Sequence, residues 1–152
     1  MNTKLLTVAL FTLTCAFVGS LDAGTPEQEK AFVDKYKAAF EAGDKATLES
    51  FLYTKGAHPK ALEFYKMMQA EGSGSKIGKI ELLDLSPEEA KEAEAIEEMP
   101  DGQKTKFPIK PTKKLKISIE TKNASSNSSS SSTCLVAEKD GKFVIPVPVP
   151  AK

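Results

Sequence analysis

Arginine and tryptophan are both missing from this chain. All 21 basic residues are lysine, and 21 acidic residues balance them, so the formal net charge is zero. Arginine supplies the planar guanidinium group that binds phosphate or carboxylate through two parallel hydrogen bonds. A chain with no arginine and no excess of positive charge is poorly equipped to attract a polyanion. We therefore predict that nucleic acid is not a partner.

Histidine and cysteine are scarce as well. The chain has a single histidine, His58, and two cysteines, Cys15 and Cys134. A zinc site of the usual type takes about four ligands, mostly cysteine and histidine, so the sequence excludes one. It also has no glycine-rich nucleotide-binding loop and no Gly-x-Ser-x-Gly nucleophile motif. We predict neither a metal nor a cofactor.

The start of the chain has the layout of an export signal. Lys4 precedes an uncharged and mostly apolar run, Leu5–Val18, and small residues follow that run. The run is shorter than the roughly 20 apolar residues that a membrane-spanning helix needs. We predict a signal peptide over residues 1–20 that is cleaved after Ser20, with Ala23 as the alternative cleavage site. The mature chain is then secreted or periplasmic and has no permanent membrane span.

The signal peptide contains Cys15. Lipid attachment to this cysteine is disfavoured, because Thr12, Leu13 and Thr14 do not provide the leucine and small residues that normally precede a lipoprotein cysteine. Once the leader is removed, Cys134 is the only cysteine left and no internal disulfide can form. Cys134 is expected to act as a small buried apolar residue.

The rest of the chain, residues 21–152, is long enough for one domain, since domains commonly have about 100–150 residues. Three helices are predicted in its first half: Thr25 to Gly43, a short helix capped by Asp44, and Pro59 to about Ala70. The first opens with a capping box, in which Thr25 and Gln28 bond each other's backbone. Its apolar stripe repeats every four residues, at Phe32, Tyr36 and Phe40.

The second half of the domain changes to strand patterns. Strands are predicted over Ile77–Leu85, Lys104–Ile109, Leu115–Thr121, Thr133–Lys139 and Lys142–Val149, with a short exposed helix from Ser86 through Glu98. The Ser-rich segment 123–132 is predicted to be a flexible hairpin loop. Asn123 and Asn127 each begin an N-x-S glycosylation motif, which matters only if the producing organism glycosylates exported proteins.

Three prolines alternate with apolar residues at the end of the chain. Because Pro146, Pro148 and Pro150 all lack an N–H group on the same lateral side, the sequence predicts a strand with one unpaired edge. Asp140 and Gly141 are placed to form the preceding hairpin turn. A strict two-residue turn directs Pro146 toward the partner strand. We therefore expect either a wider loop or pairing that fades after residue 145.

The order of helices and strands predicts an α+β fold, with N-terminal helices packed on a curved antiparallel sheet. The segment Tyr36–Leu52, with KAAFEAGDKATLESFL at its core, resembles the opening helix, the Ala-Gly-Asp break and the second helix of the nuclear transport factor two-like superfamily. The resemblance implies a cone-like fold, in which a bent sheet wraps over helices, and a place among small exported members of unknown function. Ketosteroid isomerases and polyketide cyclases of this superfamily have an Asp or His base in the cone. No position here matches their motif, so no catalytic residue is carried over.

His58 is the candidate catalytic residue. As the only histidine, it is the natural general base near neutral pH, with Asp34 or Tyr36 as a partner if the fold brings them together. The alternative is a loop histidine with no special role.

A set of aromatic residues could line a ligand pocket: Phe32, Tyr36, Phe40, Phe51 and Tyr65. Their spacing is equally that of a packed core. Two function hypotheses follow. The first is an exported, noncatalytic domain that binds a small apolar ligand or another envelope protein. The second is a small isomerase, lyase or hydrolase that uses His58 or a pocket carboxylate.

Overall fold

A computed structural model describes residues 24–123 and 126–151, and these residues form an α+β domain. The predicted signal peptide falls outside the described residues. The helices are α1 (Pro26–Ala42), α2 (Lys45–Glu49), α3 (Pro59–Ala70) and α4 (Pro87–Ala93). The strands are β1 (Leu52–Tyr53), β2 (Ile77–Asp84), β3 (Glu97–Glu98), β4 (Lys104–Lys106), β5 (Lys113–Asn123), β6 (Ser126–Lys139), β7 (Lys142–Pro146) and β8 (Val149–Pro150). Within the described ranges, no helix has the length and apolar character needed to cross a bilayer.

The three N-terminal helices begin and end where their local signals predict. Thr25 accepts a hydrogen bond from the Gln28 backbone at 3.3 Å and donates its own N–H to the Gln28 side chain at 2.8 Å. Gly43 ends α1 in the left-handed conformation, with φ of 66°. Asp44 then caps α2 by accepting from the Thr47 backbone at 3.1 Å.

The main sheet is curved and has five strands in the order β1-β7-β6-β5-β2. Its pairs are antiparallel except for β1 and β7, which run parallel. The expected all-antiparallel sheet is therefore a mixed one. The register of β2 shifts between Ile77 and Lys79, and such an irregularity bends a strand. A second sheet of three short strands, in the order β3-β4-β8, was not predicted.

The prediction of a loop for the serine tract is wrong. Residues 126–132 belong to β6, which pairs with β5 as far as Asn123 opposite Ser126. Serine side chains cannot build a core, but the hydrogen bonds of a strand ladder are made by backbone groups. Strand β5 has its own apolar alternation, which sets its register, and the serine tract pairs with it. Only residues 124 and 125, between the two strands, lie outside the described part of this hairpin.

The acidic helix is shorter than predicted. It ends at Ala93, and Glu97 and Glu98 form β3 instead. Glu98 lies opposite Lys104 and Glu97 opposite Thr105, so the backbone ladder with β4 holds these two residues as a strand. The following strand, predicted to reach Ile109, ends at Lys106.

The C-terminal strand, predicted over Lys142–Val149, is divided: β7 ends at Pro146, and Val149–Pro150 form β8 of the second sheet. Within β7, the backbone groups lie as the proline argument requires. The N–H groups of Ile145 and Val147 bond the carbonyls of Phe51 and Tyr53, at 2.8 and 3.2 Å. The positions that lack an N–H therefore point to the opposite side, toward β6. There the β6–β7 ladder ends at Val144, two residues before Pro146. The structure thus combines a two-residue turn with pairing that fades.

The core lies between α1–α3 and one face of the main sheet. The aromatic stripe of α1 packs on β7 and the end of α2: the ring of Phe32 lies 5.7 Å from Phe143 and 5.3 Å from Phe51. Leu48, Leu115, Val136, Ile145 and Val147 are fully enclosed. The candidate site lies beside this core, where the end of α3 meets β5 and β6.

Candidate functional site

A cavity of about 450 Å³ opens between the C-terminal end of α3 and the sheet. We call it the serine pocket. Its apolar lining comes from Met68, Ile117, Ile119 and Gly72, and its polar lining comes from Tyr36, Gln69, Glu71, Ser130, Ser131, Ser132, Thr133 and Cys134. Ser130 and Ser132 lie directly opposite Ile119 and Ile117 in the ladder, so they share the core face of the sheet with them. The serines of β6 therefore form a hydroxyl-rich wall, and the isoleucines of β5 form an apolar floor beside it.

Gly72 allows the chain to turn close to this floor. Its φ is +73°, and a Cβ there would approach the Cδ1 atom of Ile119 to 2.9 Å. A side chain at this position is therefore both strained and obstructed. The pocket keeps its width beside Ile119 because residue 72 has no side chain.

A buried polar pair stands at the inner end of the serine pocket. The hydroxyl of Tyr36 donates to Oε1 of Gln69 at 2.6 Å, and both residues are buried, with 3% and 4% of their surface exposed. Buried polar groups are retained where they are hydrogen bonded. This bond uses the amide oxygen of Gln69. The amide nitrogen is therefore left to donate hydrogen bonds to a molecule bound in the pocket.

The buried hydroxyl and thiol groups near this pair stay neutral. Burial is the main cause that raises the pKa of the Tyr36 hydroxyl, and it raises the pKa of the Cys134 thiol to about 12. Burial raises the pKa of Tyr65 in the same way. A thiol with such a pKa is a weak nucleophile at neutral pH, because the thiolate is the reactive form.

Cys134 should therefore alkylate slowly in the folded protein. A pKa near 12 instead of 9.0 lowers the thiolate fraction at pH 8 by about 1000-fold. The raised pKa also makes the free energy of unfolding depend on pH. Keeping the thiol protonated stabilises the fold fully below about pH 9, and this stabilisation is lost as the pH rises toward 12. Iodoacetamide labelling, followed by mass spectrometry of the Cys134 peptide with and without urea, measures this. Equal rates in the two conditions would contradict the buried thiol.

His58 lies elsewhere. It precedes α3, its backbone N–H donates to the Pro148 carbonyl at 2.9 Å, and its side chain is 4% exposed. Nε2 of the ring is 2.7 Å from Oε1 of Gln103, whereas Nδ1 is buried without a partner in the described structure. Neither of the two partners considered from the sequence bonds it: Asp34 pairs with Lys30, and Tyr36 bonds Gln69.

The five aromatic pocket candidates divide between two cavities and the core. Tyr36 lines the serine pocket, whereas Phe32 and Phe51 line a second cavity of about 400 Å³ next to β7. Phe40 is buried, and Tyr65 packs partly buried against the core. His58 contributes to the lining of neither cavity.

Gln69 is the site residue that the sequence reasoning missed. It follows Leu62 and Tyr65 at helical spacing, so it falls on the inward stripe of α3. A polar residue on an apolar stripe is the signal that could have identified it. The serines were missed because the tract was interpreted as a loop.

In the described ranges, histidine, cysteine, aspartate and glutamate form no cluster of three or more that could hold a metal ion. No family model, curated protein or solved structure matches this chain.

Proposed function

We propose that this chain is an exported, noncatalytic binding domain that holds a small, mostly apolar ligand in the serine pocket. The observation that carries the proposal is the Tyr36–Gln69 pair at the inner end of a 450 Å³ cavity whose floor is Ile117 and Ile119. Ligand sites typically combine an apolar lining with a few placed polar groups that fix orientation. The nuclear transport factor two-like resemblance supports the proposal, because a curved sheet against three helices suits a cone with a cavity.

The electrostatics of the pocket favour an uncharged ligand. Tyr36 and Cys134 are held in their neutral, protonated forms, the lining contains no lysine, and its one carboxylate, Glu71, is exposed at the rim. The amide nitrogen of Gln69 and the serine hydroxyls can donate to a carbonyl or ether oxygen. The ligand that fits this chemistry has an apolar body and one or two hydrogen-bond acceptors.

The geometry gives less support to the second function, a small pocket enzyme. His58 is sealed at the start of α3 and bonds an amide, not a carboxylate. Glu71 is the carboxylate in the pocket lining, and it is exposed at the rim. A general base needs a substrate proton within hydrogen-bond reach. His58 lines neither cavity, and no hydrogen bond links Glu71 to a second catalytic group among the described residues.

Two variants test the binding proposal. Nile red, an uncharged dye with a flat apolar body and a carbonyl, should bind the purified protein and gain fluorescence. Gln69→Leu removes one neutral hydrogen bond, worth about 0.5–1.5 kcal/mol, so the dye should bind about 2- to 12-fold more weakly. Ser132→Phe fills the cavity, leaves the Tyr36–Gln69 pair intact, and should abolish binding.

Met67→Ala is the matched control, because Met67 is on the same helix but 61% exposed and outside the pocket. It should leave dye affinity unchanged. Unchanged affinity in both pocket variants would remove the serine pocket as the site. The proposal that the chain is exported has a separate test. Mass spectrometry of the protein isolated from its natural source would contradict export if the protein were cytosolic and still began with Met1.

A further inference from the structure

Strand β6 has an open edge that no strand of the described chain covers. It pairs with β5 from Ser126 to Val136, and with β7 only at Ala137–Lys139. Beyond Val144, the N–H of Ile145 points away from β6, toward β1. The next residue of β7 that faces β6 is Pro146, which has no N–H to donate. The first part of β6, from Ser126 to Val136, therefore has a neighbour on one side only.

The direction of the backbone groups along this edge follows from the turn. Asp140 and Gly141 have φ of 52° and 70°, which defines a two-residue hairpin and makes Ala137 a hydrogen-bonded partner of β7. Backbone groups alternate sides along a strand, so those of the other odd-numbered residues point the same way. These include Ser129, Ser131 and Thr133, all exposed. No hydrogen bond outside the β5 ladder engages their backbone groups in the described ranges.

The open edge also lacks the usual protection against pairing. Natural edge strands carry charges, prolines or bulges that discourage a new strand. The β7–β8 segment of this chain has its prolines, whereas residues 126–133 contain no proline and no charged residue. This segment is an uncharged backbone template of about eight residues.

We propose that the open edge of β6 pairs with the same edge of a second copy of this chain, in antiparallel register about Ser131. The charge pattern selects this occupant, because two uncharged serine tracts bring no like charges face to face. By contrast, β2, an outer strand of the main sheet, carries Lys79, Glu81 and Asp84, so a copy paired there would have to accommodate charged side chains.

The proposed register pairs the backbone N–H and C=O groups that the open edge leaves without a partner strand. With Ser131 opposite the partner's Ser131, Ser129 and Thr133 lie opposite Thr133 and Ser129 of the partner subunit, and each such pair can exchange two hydrogen bonds. The new ladder stops before Ala137, where β7 already occupies the edge. The two-fold axis is perpendicular to the sheet, so the two five-stranded sheets become one.

This arrangement brings the second copy to the serine pocket. Residues directly opposite in an antiparallel pair share a face of the sheet, so the partner's Ser130 and the partner's Ser132 lie beside Ser132 and Ser130. Those serines line the cavity. The hydroxyl wall of each pocket is thus continued by the other copy.

Oligomeric state tests the pairing. Sedimentation equilibrium of the full chain at micromolar concentration should give twice the chain mass of 16.4 kDa before any leader is removed. Ser131→Pro removes one N–H from the open edge but none from the β5 ladder, so it should give a folded monomer. Ser131→Lys places two charges across the axis and should weaken the dimer at least about tenfold. Ser131→Ala, the matched control, keeps the N–H and should remain dimeric.

Circular dichroism checks that each variant is folded, and Ser131→Lys keeps the test intact if the proline variant does not fold. A monomeric wild-type chain over the whole concentration range would overturn the pairing. So would a dimer of equal strength in all three variants. A monomer that carries a different polypeptide, released by Ser131→Lys, would assign the edge to another strand donor and also overturn self-pairing. Dye binding by a monomer would leave the proposed function in place.

Discussion

Leu48→Ala should lower the free energy of unfolding by about 2–5 kcal/mol, the range for leucine truncated in a well-packed core. Leu48 is fully buried in the short helix α2 and belongs to the same apolar core as Phe40 of α1 and Leu52 of β1. A domain of this size has about 5–15 kcal/mol of stability in total. Urea denaturation followed by circular dichroism should therefore show the midpoint falling by about 1–3 M.

Leu83→Ala is the matched control for this prediction. Leu83 is 37% exposed and lies opposite Lys114, on the face of the sheet away from the core. The same truncation there should change the free energy of unfolding by no more than about 0.5 kcal/mol. Equal losses in the two variants would mean that α2 is not packed as the structure has it.

The parts of the fold that depend on neighbours in sequence were predictable. The Thr25–Gln28 capping box forms both of its hydrogen bonds, and Gly43 adopts the left-handed conformation that ends a helix. The unpaired edge beside Pro146 was predictable too, because a proline lacks an N–H in any context. In each case the physical cause lies within about four residues of the effect.

The parts that depend on distant partners were not predictable. Whether a serine tract is a loop or a strand is decided by the strand beside it, and β5 supplies that ladder. Likewise, Glu97 and Glu98 form a strand only because Lys104 and Thr105 pair with them. Local propensity gives a weak preference, and tertiary pairing overrides it.

The candidate site was predictable only in part. Tyr36 was identified from the stripe on α1, but its partner Gln69 is 33 positions away. His58 was identified as the only histidine, whereas its partner Gln103 is 45 positions away. Chemical type can be read from a sequence, but the hydrogen bond that decides whether a group is structural or reactive requires the fold.

Gln103→Leu provides the second large expected effect, a loss of about 1–3 kcal/mol in the free energy of unfolding. Nε2 of His58 bonds Gln103, and Nδ1 is already without a partner among the described residues. The variant would leave the buried ring with no hydrogen bond at all. Thermal and urea unfolding of the variant beside the wild type measures this cost.

A double variant decides whether the histidine is structural. If His58 has only a structural role at the start of α3, the double variant His58→Leu, Gln103→Leu should recover much of the free energy of unfolding that Gln103→Leu loses. Replacing both partners with apolar groups removes the unsatisfied donor. Lys60→Ala is the control. It breaks the nearby ion pair with Asp101, in which the lysine side chain is 64% exposed, and should cost no more than about 1 kcal/mol. A double variant as unstable as the sum of its two single variants would show that His58 and Gln103 are not coupled, and the hydrogen bond would then have no part in holding α3 in place.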